Sequence, residues 1–204
     1  MGPFHQILGN NLVANITNYT VWFAITFWVY LETRSVFATG MIAGFYLVLT
    51  AAFGIWFGSI VDHNAKRIVM LGSSAVSFGF YAVALVVLLS GPEAAFRNPY
   101  GPLLWVFVSV VMLGVIAGNI RSIALPTLVT VLIPEDRRDK ANGLVGMVSG
   151  IGFLTTSVIS GLLVAWGGMV VVMVLALLFT ALAFAHLWFV KIDEGQRREQ
   201  QRQH

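Results

Sequence analysis

Apolar residues gather into six long runs, near Leu8–Leu31, Val36–Val61, Ile68–Leu89, Leu103–Leu125, Gly143–Ala165 and Met169–Val190, separated by short polar or glycine-bearing breaks. Each run is about 22 residues, enough to cross roughly 30 Å of hydrocarbon as a helix. Inside a bilayer every backbone amide must be satisfied within its own segment, so the runs read as transmembrane helices. The break at Trp166-Gly167-Gly168 predicts a tight hairpin, and GPEAAFRNPYGP (Gly91–Pro102) predicts an irregular loop.

The polar residues within the runs are patterned. Asn11, Asn15, Asn18, Trp22 and Thr26 recur at spacings of four, three, four and four, which is one face of helix one. Amides are unfavourable against lipid, so this stripe should face protein or water, and we read it as candidate cavity lining. Ser149, Thr156 and Ser160 give a smaller polar face on helix five. Arg121, late in helix four beside Asn119 and Ser122, is the candidate buried charge: it could pair with Asp62, attract an anionic substrate or snorkel to headgroups. Pairs of glycines four apart (Gly40/Gly44, Gly54/Gly58, Gly114/Gly118, Gly146/Gly150) predict close helix packing.

Composition agrees with a membrane protein: 58% of the 204 residues are hydrophobic and only 10% charged, with mean hydropathy +0.84. A soluble domain carries about 25% charged residues. No Lys or Arg precedes the first run, so it does not read as a cleaved signal peptide. Cysteine is absent, which excludes disulfides, thiolate metal sites and cysteine nucleophiles. No metal, cofactor or nucleic acid is expected.

Charge distribution sets the orientation. Lys66, Arg67, Arg137, Arg138, Lys140, Lys191, Arg197, Arg198 and Arg202 fall on one side, nine against Arg34 and Arg97 on the other. The basic side should be cytoplasmic, with both termini there. Residues 1–190 form the expected six-helix bundle; residues 191–204 (KIDEGQRREQQRQH) read as a polar cytoplasmic tail or the start of a linker. Shifting the chain by 103 residues lays Gly58-Ser-Ile-Val61 over Gly161-Leu-Leu-Val164, and Ile68-Val-Met70 over Val171-Val-Met173. Similar segments on opposite sides are what an inverted three-plus-three repeat produces.

The turn GSIVDHNAKRIVML, between runs two and three, resembles the loop G-x-L-A-D-R-x-G-R-K-x-x-x-L of the major facilitator superfamily: Gly58, Asp62, Lys66, Arg67 and Leu71 match in type, while His63 replaces Arg and Ala65 replaces Gly. The resemblance implies a cytoplasmic gate motif at Gly58, Asp62, His63, Lys66 and Arg67. In it the aspartate helps hold the cytoplasmic side closed and the basic pair anchors the loop at the anionic leaflet. Pro134, Arg138, Ala141 and Gly143 resemble a second family pattern between helices four and five. Gly143, Gly152 and Gly161 fall in register with the antiporter motif of helix five, but Thr156, Ser157 and Ser160 replace its later Gly and Pro positions.

The resemblance implies an all-α integral membrane fold, a six-transmembrane-helix bundle that is the N-terminal half of a secondary transporter. Helices one and four should line the path, two and five flank it, and three and six face lipid. The implied activity is alternating-access movement of a small-molecule substrate, with efflux of an amphipathic or drug-like compound nearest. The implied partners are the lipid bilayer and a missing C-terminal six-helix half or a second copy, and the implied location is the plasma membrane, in bacteria the inner membrane. No Asp or Glu lies deep in any run, so either the proton-coupling group is Glu32 or Asp62 at the ends, or it resides in a second half, or transport is not proton-coupled. A non-transporting or truncated membrane subunit is the alternative. An intramembrane serine protease is more remote: Ser149 precedes Gly150, but Met147 stands where the rhomboid-type G-x-S-G pattern needs Gly.

Overall fold

The structure, a computed structural model, describes residues 3–191 and is helical nearly throughout. Its helices are α1 (Pro3–Thr33), α2 (Val36–His63), α3 (Lys66–Ser90), the short α4 (Glu93–Phe96), α5 (Pro102–Leu132) and α6 (Arg138–Phe189), with a 3₁₀ turn at Glu135–Arg137. The tail expected at 191–204 lies outside the described residues, apart from Lys191.

Five of these helices are long and apolar enough to cross a membrane. They make six spans, because α6 breaks at Gly168, where φ is +62° and ψ is −165°. That conformation suits glycine and strains other residues. The arm before it runs along α1, with Gly152 beside Leu12 and Ile16, and Gly161 beside Phe27. The arm after it returns, bringing Ala183 to Asn10. The expected hairpin is therefore present.

Local chemistry sets the other boundaries. Ser35 caps α2 by accepting from the Ala38 amide at 3.1 Å, and α5 opens with Pro102 in its first turn, where a missing N–H costs nothing. The loop Gly91–Pro102 is not wholly irregular, since α4 interrupts it. Arg97 there meets Glu32 at 3.6 Å and Glu93 at 3.5 Å.

The apolar core divides in two. One cluster joins Val21–Val29 of α1 to Leu104–Val115 of α5 and Met169–Ala176 of α6. The other, at the basic end, joins Phe4–Leu8, Val61–Met70, Ile120–Leu132 and Leu187. Between them lies a layer of buried polar side chains: Asn10, Thr17, Asn18, Ser73, Ser74, Ser77, Arg121 and Thr180.

The inverted repeat is visible in three dimensions. The α2–α3 break at Asn64 and Ala65 and the α6 break at Gly167 and Gly168 stand 103 residues apart. Two surface grooves also correspond. One is bounded by α2, α3 and α5, the other by α1 and the two arms of α6. Trp56, Ile60, Val69, Gly72, Ser73 and Val76 of the first map by +103 onto Ile159, Leu163, Val172, Leu175, Ala176 and Phe179 of the second. Leu113, Ile116, Ala117 and Ile120 map by −100 onto Val13, Ile16, Thr17 and Thr20.

Candidate functional site

The seam between α1 and α5 carries a neutral hydrogen-bonded chain. Asn18 donates to the Val115 carbonyl at 2.9 Å and to Asn119 Oδ1 at 3.1 Å. Its own Oδ1 accepts from the Tyr81 hydroxyl at 2.7 Å. Asn119 passes the chain to the Tyr46 hydroxyl at 3.0 Å, and the Tyr46 ring lies against Trp22 at a centroid distance of 4.3 Å. Amide and phenol groups of α3, α1, α5 and α2 are thus tied in one relay. Asn18 enters a notch: a Cβ on Gly118 would lie 2.7 Å from Asn18 Oδ1. Asn18 is buried, whereas Trp22, Tyr46 and Asn119 are partly exposed.

Arg121 lies nearer the basic end and is 2% exposed. Its guanidinium donates to Asn10 Oδ1 at 2.9 Å, to the Met70 carbonyl at 3.2 Å, and to Ser74 Oγ. Every one of these acceptors is neutral. Asp62 is exposed at the surface and is not among these partners, and burial leaves no route for snorkelling. Asn10 in turn donates to the Ala183 carbonyl at 2.7 Å and faces His186 Nδ1 at 3.2 Å. A cavity of about 20 Å³ beside Arg121, lined also by Asn18, Ser77, Tyr81 and Thr180, is large enough for a single water.

The gate-motif turn works through helix ends. Lys66 is 1% exposed, and its ammonium donates to the Val61 carbonyl and, at 3.0 Å, to the Asn64 carbonyl. It therefore closes the C-terminus of α2 instead of reaching lipid headgroups. Arg67 donates to the Leu187 and Trp188 carbonyls in the last turn of α6. Arg138, from the second loop pattern, donates to Ile133 at 3.1 Å and Thr130 at 2.9 Å, at the end of α5. A cation at a helix C-terminus meets unpaired carbonyls and the negative end of the dipole. The helices that end at the basic side each receive one. His63, exposed, lies 2.8 Å from the Ser59 carbonyl through Nδ1. Gly58 is partly exposed, and a Cβ there would meet nothing within 4 Å.

The remaining stripe residues divide. Asn15 and Thr26 are partly exposed, and Thr26 donates to the Trp22 carbonyl at 2.9 Å. Asn11 is 2% exposed, and its Oδ1 has no hydrogen-bond partner among the described residues. Thr156 and Ser160 are fully buried and donate within their own helix, to Phe153 at 3.0 Å and Ser157 at 3.2 Å. They line no surface in this arrangement. Ser149 is partly exposed, and His186 is engaged with Asn10 at the basic end.

Sequence reasoning passed over Asn10, Tyr46 and the α3 stripe of Ser73, Ser77 and Tyr81. The spacing of four along that stripe was the available signal.

Comparison with known proteins bears on this geometry. No curated protein and no solved structure matches the chain. The family model described as Major Facilitator Superfamily matches residues 7–204. With all but a few residues covered by that match, and with a six-span, internally repeated helical bundle, the chain belongs to the major facilitator superfamily.

Proposed function

We propose that this chain is one six-helix bundle of a secondary transporter, and that a second bundle or a second copy completes the path for a small molecule. The observation that carries this reading is the state of α2 and the first arm of α6. Along α2 only Ala38, Ile42 and Val61 are buried. Added Cβ atoms at Gly40, Gly44, Gly54 and Gly58, and at Gly143, Gly146 and Gly150, would meet nothing within 4 Å. Lipid contact does not call for glycine, but close helix approach does. By contrast, Gly114 and Gly118 are filled, by Tyr81 and Asn18. Single glycines at Gly9, Gly72 and Gly79 are open as well, but the unfilled pairs four residues apart, Gly40/Gly44, Gly54/Gly58 and Gly146/Gly150, fall on repeat-related helices, as a flanking pair would.

Trp22, Tyr46, Asn119 and Asn15 supply the partly exposed surface beside the α1–α5 seam. It is aromatic and amide-rich without a carboxylate, which suits a neutral or amphipathic compound; efflux is the direction nearest the loop resemblances. The basic end is cytoplasmic in this reading, with both termini inside and the bundle in a plasma membrane, the inner membrane in bacteria. Two bundles would rock about the seam to give alternating access. Purified chain reconstituted as a verified monomer should move no substrate across proteoliposomes. Transport by that monomer would overturn the reading.

A further inference from the structure

We propose that the two repeat-related grooves each seat one phospholipid acyl chain, one from each leaflet. The α2–α3–α5 groove holds about 490 Å³ and its counterpart about 350 Å³. Both fall within the size range of ligand pockets. The larger lies toward the basic end, between Asn64 and Phe80, and the smaller toward the Gly168 turn, so they sit at opposite depths. The size difference has a visible source, since Gly72 in the first stands where Leu175 stands in the second.

The occupant follows from the walls. In the larger groove Ser73 donates into the protein, to the Ala117 carbonyl at 2.8 Å, and Asn64 at the groove's end donates to the Ile60 carbonyl at 2.9 Å. In the smaller one Thr17 donates back to Val13 at 2.8 Å. Apart from Ser73 and Asn64 in one groove and Thr17 and Thr20 in the other, the walls are apolar, so water, which needs two to four partners, is poorly held there. Ile68 and Val76, 64% and 49% exposed at the rim, continue into the outer apolar surface of α3. The groove is therefore continuous with the face this membrane-spanning bundle turns to the bilayer, and hydrocarbon is the medium that fills it. An acyl chain supplies dispersion contacts that α2 and α3, which barely touch, do not give each other.

The test uses the full chain in phosphatidylcholine vesicles containing a phospholipid with a photoactivatable diazirine on its acyl chain. Cross-links are mapped by mass spectrometry. Labelling should concentrate on the groove walls around Ile60, Ile68 and Val76, and around Leu163 and Phe179. Gly72→Trp, which fills open space, should lower labelling of the first set at least fivefold and leave the second unchanged. Should that variant fail to fold, Gly72→Leu, which copies the mirrored position, should bring first-groove labelling down to the level of the second. Equal labelling of exposed α2 positions outside the groove, such as Leu47 and Val48, would overturn the proposal. So would unchanged labelling in the folded Gly72 variants, or a second protein chain cross-linked in place of lipid.

Discussion

At the scale of single residues, the polar layer places its groups where each is worth most. Asn18 uses two donor bonds and one acceptor bond within the core. Asn18→Ala would leave the Tyr81 hydroxyl buried and unpaired, at a cost of about 1–3 kcal/mol. Thermal unfolding in detergent should show that loss, and Tyr81→Phe should lose less, because it leaves only the Asn18 Oδ1 acceptor unpaired while Asn18 keeps its two donor bonds. Gly118→Ala should also destabilise, by about 1–3 kcal/mol from overpacking against Asn18. Gly44→Ala, with open space at its Cβ, should not destabilise the isolated bundle and should gain about 0.5–1 kcal/mol of helix propensity. Arg121 is the costliest group of the layer, a buried cation held by neutral oxygens. Asn18 and Arg121 stood out in the sequence because amides and charges interrupt apolar runs. Tyr81 and Tyr46 did not, because a tyrosine in such a run reads as apolar and only its neighbours disclose where its hydroxyl goes. Their partners lie 63 and 73 residues away, and no local pattern encodes such a pairing.

At the scale of helices, breaks and caps decide the architecture. The six spans were legible because their lengths match a bilayer and their breaks carry Gly, Asn or Pro, except the first, which carries the polar run Glu32-Thr-Arg-Ser35. The hairpin at Gly168 was legible for the same reason, and its φ of +62° gives the physical cause. Gly168→Ala should cost about 1–3 kcal/mol of strain, detectable as a lower melting temperature with helix content unchanged. The direction of the basic side chains was not legible. Lys66 reads from sequence as a headgroup anchor, yet a lysine next to a helix end has two destinations, and here the α2 carbonyls win. Lys66→Met should loosen the last turn of α2 at a cost of about 0.3–2 kcal/mol. Faster amide exchange in the α2 turn that ends at Asn64, with no change in the α5 turn capped by Arg138, would distinguish a lost cap from general destabilisation.

At the scale of the whole molecule, the bundle is two similar three-helix units related by inversion, with polar groups at their interface and apolar clusters to either side. The repeat was faint in sequence, since its matches are short and mostly apolar, and the residue-by-residue match of the grooves is what extends it. The unfilled glycines of α2 and of the first arm of α6 belong to this scale too, because open space beside a helix is defined only once the whole bundle has been placed. The central claim is that the face beside the α1–α5 seam lines a path enclosed by a second bundle, while the second arm of α6 faces lipid. Since the chain has no cysteine, single replacements at Asn15, Trp22 and Val174 can be probed in native membranes with a membrane-impermeant thiol reagent. Labelling at positions 15 and 22, with position 174 protected, is the predicted result; equal protection at all positions, or labelling at 174 alone, would contradict it.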